Sequence, residues 1–391
     1  MWLCFCLHLC LIGGLLLDSY AKREITKTIV LEEKDGQSAE NEYVVKNIKE
    51  YFYEGVQKEE GWIAVEQDSE YIYALKYIED GYEYQKIDIG QEKILSSLVV
   101  ETEPLEQVKI APGGKYIAYE RQYPFGVELV MYFVEDESQL TLGGGYGCSF
   151  AWSGDGTRLF YTFVDEGGTD YDTNTTWVLS CFDTAYPWDD ASMIIDVEGD
   201  IGIPKNIVPN RDGSEIYVGY ENANMDTNRQ DWLFLIDDFM VQDNMAIEDK
   251  AAISQRLLNL PEEVILPIQF TEAGLFAYGE GEKIYLITNL EETPRINVLD
   301  EIDYESIYVC ENGDHLFVLK QEEGTKRFEV RILRLKEGKV VTDQLLYKDV
   351  SQNWADAVVS MDDRAIVLKT CEYLNEKKYS FKITRLEYGD R

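Results

Sequence analysis

The sequence predicts an all-β fold, a seven-bladed β-propeller, from three observations. Tyrosine and other β-forming residues are abundant, and runs with helical spacing are few. One short pattern, an apolar strand followed by a polar turn and a second apolar strand, recurs along the chain. Its turns lie near residues 68, 113, 155, 212, 272, 312 and 362. A recurrence at this interval is typical of propeller blades with four short strands each.

The clearest copy of the pattern is residues 150–164, FAWSGDGTRLFYTFV. β-forming residues flank a tight polar turn, and the pair Asp155 and Gly156 supplies the positive φ that a chain reversal needs. Residues 108–119 and 206–218 repeat it, and weaker copies occupy residues 61–77, 267–278, 306–319 and 357–368. A β-sandwich with coincidental hairpins is the alternative, and it gives no reason for such a repeat.

Apolar alternation and turn residues divide the chain into seven units. Units one and two have predicted strands at 61–67, 71–78, 82–89, 94–101, 107–111, 116–121, 127–134 and 139–142. Unit three has strands at 147–153, 158–164, 176–182 and 193–197, and unit four at 205–209, 215–220 and 231–236. An insertion follows at 237–263, in which residues 246–258 have helical spacing. Units five and six have strands at 264–270, 274–279, 283–288, 295–299, 304–311, 315–321, 328–335 and 340–347. Unit seven has only 356–360, 365–371 and 378–386.

The missing fourth strand of unit seven predicts how the ring closes. Residues 25–33 have the pattern of a lone strand, and residues 34–58 that of a polar linker with a short helical piece. We expect 25–33 to pair beside 378–386, because an open ring would leave unpaired backbone groups at its edges. Lys377, Lys378 and Lys382 would then face Glu32 and Glu33 across the pair. A six-bladed ring, with unit one as an accessory sheet, is the alternative.

The turn motifs resemble those of the TolB-like and WD-repeat-like β-propellers, whose repeats contain a strand, a Ser-Pro-Asp-Gly turn and a second strand. The best matches are residues 153–157 (SGDGT), 111–115 (APGGK) and 209–214 (PNRDGS). The resemblance covers nearly the whole chain after the N-terminal segment, and it implies the fold. It implies little about function, because the repeated residues fill cores and turns.

The N-terminal segment differs in kind from the rest. Residues 2–17 are apolar apart from His8, which is short for a spanning helix and suits the core of a signal peptide. Ser19 and Ala21 are small residues at the positions that a signal peptidase reads, although the usual basic residues before the apolar run are missing. We expect residues 1–21 to be a signal peptide, or alternatively a membrane anchor, and residues 22–391 to form one exported, extracytoplasmic propeller domain.

The chain is strongly acidic, with 36 Lys and Arg against 74 Asp and Glu and a formal net charge of −38. Such a surface repels phosphate backbones, so nucleic acid is excluded as a partner. Cationic ligands stay open. We expect a monomer that meets a membrane only through its N-terminal segment. Four scattered cysteines follow that segment, and we expect buried free thiols, with a disulfide between Cys148 and Cys181 as the alternative.

Few features of the sequence indicate catalysis. His315 is the one histidine after the N-terminal segment, and its strand of alternating apolar residues predicts a structural role. Zinc sites built on several histidines are therefore excluded. The chain has no Gly-x-Ser-x-Gly motif and no phosphate-binding glycine loop before a helix. We assign no catalytic residue.

The candidate binding residues lie in two long loops between the second and third strands of units three and four. The first loop contains Asp165, Asp170, Tyr171, Asp172 and Asn174, and the second contains Asp226, Asn228 and Asp231. Asp170, Asp172 and Asn174 place oxygen atoms at the alternate positions that a hard cation such as Ca²⁺ prefers, although the Gly and Glu of an EF-hand loop are missing. Long polar loops that simply tolerate insertion are the alternative. No other cofactor is expected.

We therefore expect a non-catalytic extracytoplasmic propeller that binds a protein, a small molecule or a glycan. The alternative is a carboxylate-dependent hydrolase or lyase that acts on a glycan or peptide in the central funnel. An enzyme of that kind should place two carboxyl groups in a pocket on the ring axis, one of them with a pKa raised by burial.

Overall fold

The computed structural model describes residues 24–29, 42–56, 61–78, 81–123, 126–145, 149–165, 176–185, 192–195, 203–221, 229–237, 252–279, 283–290, 292–301, 306–321, 327–350, 353–359, 364–375 and 378–390. Every regular element in these ranges is a β-strand. Within them, no helix has the length and apolar character needed to cross a membrane.

Twenty-nine strands are described, and two of them precede the first blade: β1 (Glu24–Ile29) and β2 (Tyr43–Val56). Blade one has β3 (Gly61–Gln67), β4 (Tyr71–Ile78), β5 (Gly81–Asp88) and β6 (Lys93–Glu101). Blade two has β7 (Leu105–Ile110), β8 (Tyr116–Tyr123), β9 (Gly126–Phe133) and β10 (Ser138–Gly145). Blade three has β11 (Phe150–Trp152), β12 (Arg158–Asp165), β13 (Thr176–Asp183) and β14 (Ser192–Ile195). Blade four has β15 (Ile203–Pro209), β16 (Glu215–Glu221), β17 (Arg229–Asp237) and β18 (Ala252–Leu258). Blade five has β19 (Val264–Thr271), β20 (Gly274–Gly279), β21 (Lys283–Thr288) and β22 (Arg295–Glu301). Blade six has β23 (Ser306–Val309), β24 (His315–Gln321), β25 (Arg327–Lys336) and β26 (Lys339–Val350). Blade seven has β27 (Asn353–Val359), β28 (Ala365–Asn375) and β29 (Lys378–Asp390), joined by β2 and β1.

The seven sheets stand in a ring, which confirms the seven-bladed propeller and shows that the six-bladed alternative is wrong. Within each blade, successive strands pair antiparallel in chain order. The first strands contact one another in five of the neighbouring pairs of blades, and these include β27 of blade seven and β3 of blade one. The first strand of every blade therefore lines the centre of the ring.

Apolar side chains fill the spaces between neighbouring blades. In the described part of the chain they form seven buried clusters, one for each pair of neighbours. Tyr84 and Tyr119 meet between blades one and two, and Phe160 and Phe234 meet between blades three and four. The cluster between blades seven and one includes Val367 and Ile72, so the ring is closed by packing as well as by strand pairing.

The repeated turn owes its sequence to side-chain hydrogen bonds. The Ser153 hydroxyl accepts a bond from the Arg158 N–H at 3.0 Å and donates to the Asp155 carboxylate at 2.7 Å. That carboxylate also accepts the Thr157 N–H at 2.9 Å. Blade four repeats this arrangement, with Asn210 and Asp212 in the equivalent places. A polar residue and an aspartate two positions later thus satisfy the backbone of a turn that has too few backbone partners.

The turn glycine of blade two also sets how closely two blades approach. Gly114 has a φ of +68°, which glycine adopts without strain. A Cβ atom there would overlap the ring of Tyr73, which blade one buries. The neighbouring Gly113 has a φ of +81° but nothing within 4 Å of the same atom. Glycine at position 114 therefore allows both the positive φ of the turn and the close contact between blades one and two.

An N-terminal strand closes the ring in blade seven, as predicted, but it is β2, and the prediction that residues 25–33 pair beside the last strand is wrong. β2 pairs with β29 along most of its length, while β1 pairs with the other edge of β2 as a fifth, outermost strand. Residues 30–33 lie outside the described residues. β2 was hidden in the sequence because a register shift between Val45 and Asn47 breaks its period-two alternation.

Hydrogen bonds hold the closing strand to blade six. Gln344 of β26 is buried; its amide accepts the Tyr43 N–H at 3.1 Å and donates to the Tyr43 carbonyl at 2.6 Å. Lys382 of β29 lies 3.0 Å from the Glu50 carboxylate of β2 and also contacts Asp349 of β26. Lys382 thus pairs with an acidic residue of the closing strand, as predicted in kind, but with Glu50 instead of Glu32 or Glu33.

The fourth blade corrects a second expectation. Residues 252–258, for which the spacing predicted a helix, form β18 and pair with β17 as the outermost strand of blade four. A short run with few apolar residues does not distinguish helix from edge strand by periodicity alone. Residues 238–251 of the predicted insertion lie outside the described residues.

Candidate functional site

Most of the predicted loop residues cannot be placed. Asp170, Tyr171, Asp172, Asn174, Asp226 and Asn228 lie outside the described residues, and the calcium site on Asp170, Asp172 and Asn174 stays a prediction. Among the residues that are described, no group of three His, Cys, Asp or Glu side chains could hold a metal ion.

Two of the predicted loop residues are described. Asp165 is the last residue of β12, where it pairs with Thr176. Asp231 belongs to β17 and is 4 % exposed, and its carboxylate accepts a hydrogen bond from the Tyr217 hydroxyl. This buried contact gives Asp231 a structural role within blade four.

The environment of His315 agrees with the predicted structural role. The ring is buried between blades six and seven; its Nε2 lies 2.9 Å from the Tyr388 hydroxyl, and its Nδ1 contacts the Asp314 carboxylate. Cys181 is a buried free thiol whose pKa burial raises. Cys148, its proposed disulfide partner, lies outside the described residues.

The site that the structure does define is a cavity on the ring axis. Two adjoining cavities of about 370 Å³ and 240 Å³ share Gly154, Gln269 and Glu311 in their walls. Together they are lined by the first strands or first turns of all seven blades, including Glu66 of blade one, Lys109 of blade two, Val208 of blade four and Val358 of blade seven. This volume is in the range of small-molecule sites.

The axial cavity (the name used below for both parts together) extends to the turns between first and second strands. Gly154, Arg211 and Glu311 lie in those turns. Of the predicted loop residues, Asp165 ends β12 and Asp231 lies near the start of β17, at the strand ends away from these turns. Neither residue lines the axial cavity.

Glu66 has the most perturbed carboxyl group of the cavity. Burial raises its pKa to about 8, and the Asp68 carboxylate raises it further, while the Gln67 N–H, which donates to Oε1 at 2.9 Å, partly opposes the shift. The residue as a whole is half-buried and lines the 240 Å³ part of the cavity. At neutral pH this carboxyl is therefore largely neutral and able to donate a hydrogen bond.

Glu311 lines both parts of the cavity opposite these groups. Its side chain is 17 % exposed, and its Oε1 lies 4.0 Å from Nε of Arg211, which is more than half exposed. Glu66 and Glu311 both line the 240 Å³ part. A carboxyl group with a raised pKa and a second carboxyl group thus line a single cavity, and general acid–base catalysis uses such pairs.

Lys109 supplies the cavity with a positive charge from β7. Its Nζ donates to the Phe150 carbonyl at 2.6 Å and lies 5.3 Å from the centre of the Phe150 ring. Burial lowers the pKa of this ammonium group. Trp152 lies beside it, and the indole N–H donates to the Lys109 carbonyl at 3.2 Å.

The sequence analysis missed Glu66, Lys109 and Glu311. The signal that pointed to the loops was composition, because Asp and Asn are dense there. The available signal for the cavity was weaker: Lys109 is a charged residue within an apolar first strand, VKIA. First strands line the axis of a propeller, so a charge there faces either the channel or a blade core.

Comparison with known proteins supports the fold and little else. No protein-family model matches the chain, and no curated protein sequence matches it. An oligogalacturonate lyase in complex with manganese aligns over 93 % of this chain and 98 % of its own, with 12 % identity and a TM-score of 0.56. The RRP9 WD40 repeats align over 86 % of this chain and 97 % of their own, with 12 % identity and a TM-score of 0.50.

TolB from Acinetobacter baumannii aligns over 80 % of this chain and 78 % of its own, with 15 % identity. Its TM-score of 0.41 is too low to support an assignment to that family. The class that fold and site together define is a seven-bladed β-propeller with a charged axial cavity.

Proposed function

We propose that the protein is a binding propeller that takes a small polar ligand into the axial cavity. The observation that carries this proposal is the cavity wall, to which all seven blades contribute. Charged groups, amides and an aromatic ring face a volume suited to a small molecule. The turn motifs support a TolB-like relationship, and the apolar N-terminal segment supports action outside the cytoplasm. The TolB-like relationship and the action outside the cytoplasm both belong to this proposal.

A thermal-shift screen with neutral, anionic and cationic metabolites tests the cavity. Gln269→Trp fills the wall shared by both parts, and Gln91→Trp places the same side chain on an exposed turn of blade one as a control. We expect ligands that raise the melting temperature of the wild type and of Gln91→Trp, and not of Gln269→Trp. Ligands that still bind Gln269→Trp but lose binding in Asp170→Ala with Asp172→Ala would move the site to the loops.

Calcium binding by the loop of blade three belongs to the proposal as a separate site. Millimolar CaCl₂ should raise the melting temperature of the wild type and leave Asp170→Ala with Asp172→Ala unchanged, because those carboxylates are the proposed ligands. An unchanged wild-type melting temperature contradicts this site without affecting the axial cavity.

Catalysis by carboxyl groups is the second candidate, and the raised pKa of Glu66 favours it. With Glu66 as acid and Glu311 as base, the cavity has the two groups needed for hydrolysis or elimination on a glycan or peptide. Incubation with panels of glycans and peptides, followed by mass spectrometry, tests this. Activity should disappear in Glu66→Gln and in Glu311→Gln and persist in the double loop variant. Activity that survives both cavity variants excludes this mechanism.

A further inference from the structure

We propose that the ligand of the axial cavity is a small organic anion whose carboxylate or phosphate group binds at Lys109. This inference rests on the proposed function and names the chemical class of its ligand. It runs against the composition of the chain, whose net charge of −38 favours cations on the surface.

The first step is the state of Lys109. Within the described residues no carboxylate lies in ion-pair range of its Nζ, and its contacts are the carbonyl and the ring of Phe150. One hydrogen bond leaves two of the three ammonium donors for other partners. Because the residue lines the cavity and is exposed there, those donors are available to a ligand.

The second step is the contrast with lysines whose charge the protein itself neutralises. Acidic residues outnumber basic ones about two to one, and the described lysines Lys76, Lys348 and Lys382 each pair with a carboxylate. A bound anion would supply the missing counter-charge at Lys109.

The third step is the rest of the 370 Å³ part of the cavity. Its charged wall residues are Lys109, Arg211 and Glu311, which sum to +1 when all are ionised. Arg211 is held only loosely by Glu311, at 4.0 Å, and its side chain is 55 % exposed, so it can turn toward a ligand. Trp152 offers an apolar surface to the body of the ligand, as aromatic residues do in many small-molecule sites.

The test uses four probes with one sugar ring and different charges: glucose, glucose 6-phosphate, glucuronate and glucosamine. Binding is measured by calorimetry and thermal shift on the whole chain. We expect one or both anions to bind, with the phosphate and the carboxylate arms showing which group is preferred, and no binding of glucose or glucosamine. Lys109→Met should weaken anion binding about 10- to 100-fold, as expected for loss of a charged hydrogen-bond donor.

Lys86→Met is the matched control, because Lys86 also lies over an aromatic ring, 3.7 Å from the centre of Tyr71, but does not line the cavity. It should bind the anion like the wild type, and Lys109→Arg should retain most of the affinity. If Lys109→Met does not fold, Arg211→Gln replaces it, with an expected weakening of several-fold.

Three results overturn the inference. The anion inference is wrong if glucose or glucosamine binds as tightly as the anions. It is also wrong if Lys109→Met leaves anion binding unchanged, or if neither anion binds. A neutral or cationic ligand whose binding is lost in Gln269→Trp would overturn the anion inference alone and leave the cavity proposal intact. Anion binding that survives Gln269→Trp would overturn both.

Discussion

The buried cluster around Lys382, which helps to close the ring, gives the most specific prediction about stability. Its Nζ lies 3.0 Å from the Glu50 carboxylate and also contacts Asp349, and these three side chains are 14 %, 9 % and 19 % exposed. The Tyr347 hydroxyl donates to Asp349 at 2.8 Å. One lysine thus contacts two carboxylates from two different strands, at the seam where β2 joins blades six and seven.

The size of the effect follows from this geometry. At 3 Å and an effective dielectric constant near 20, one ion pair is worth about 5 kcal/mol before the cost of desolvation. Lys382→Met keeps most of the stem and removes the charge that both carboxylates contact. Loss of one partner of a buried pair typically costs about 3–5 kcal/mol. We expect a loss in the free energy of unfolding within that range.

The control is an exposed ion pair at the same seam. Arg334 of β25 lies 3.0 Å from the Glu42 carboxylate, just before β2, and the two side chains are 45 % and 43 % exposed. Arg334→Met should cost far less stability than Lys382→Met, because solvent screens exposed pairs. Both values come from urea unfolding followed by tryptophan fluorescence. Equal losses in the two variants, or a loss in Lys382→Met as small as that expected for Arg334→Met, would refute the argument.

Hydrogen exchange separates a local effect from a global one. If Lys382 secures the closing strand, Lys382→Met should increase exchange in β2 more than in β9, which lies within blade two, far from the seam. A uniform increase in both strands would mean that the variant acts on overall stability and not on closure.

Three further predictions follow from the same structure. Gly114→Ala should lower the free energy of unfolding by about 1–3 kcal/mol more than Gly113→Ala, because both strain a positive φ but only the first also clashes with blade one; equal urea midpoints would contradict this. Burial raises the pKa of Glu66 from 4.5 to about 8, so ionisation of this carboxyl lowers the stability of the wild type as pH rises between these values. The stability of Glu66→Gln relative to the wild type should therefore increase over that pH window and level off above it. A difference in stability that does not change with pH would disprove the assignment. Deletion of residues 1–41 should keep a cooperative thermal transition, whereas deletion of residues 1–60 should abolish it, because only the second removes β2.

The blades were predictable because their physical signals are local. β4, β20, β21 and β24 begin and end at the residues that the alternation and turns predicted. Each of these strands packs between neighbours, so its sequence reflects burial directly. Turn chemistry is also local, since Ser153 and Asp155 bond to residues of the same turn.

The closing strand was less predictable because its partners are distant and its pattern is broken. β2 meets β29, the last strand of the chain, and its lysines and glutamates disguise a strand with buried Ile48 and Tyr51. β1 has the more recognisable strand sequence, but it pairs only with the outer edge of β2. Sequence arguments about edges could predict that a strand must close the ring, but not which of two candidates does so.

The axial cavity depends on that closure, which is the physical reason why it was not visible in the sequence. Glu66 and Glu311 lie in the first and sixth blades, and they line one cavity because blade seven completes the ring between blades six and one. The buried Gln67, next to Glu66, donates to the Val358 carbonyl at 2.8 Å and accepts from Nε of Arg385 at 3.2 Å. These bonds join the cavity wall of blade one to blade seven. Because β2 holds blade seven in the ring, the surroundings of Glu66, and with them its raised pKa, are a consequence of the same strand that closes the fold.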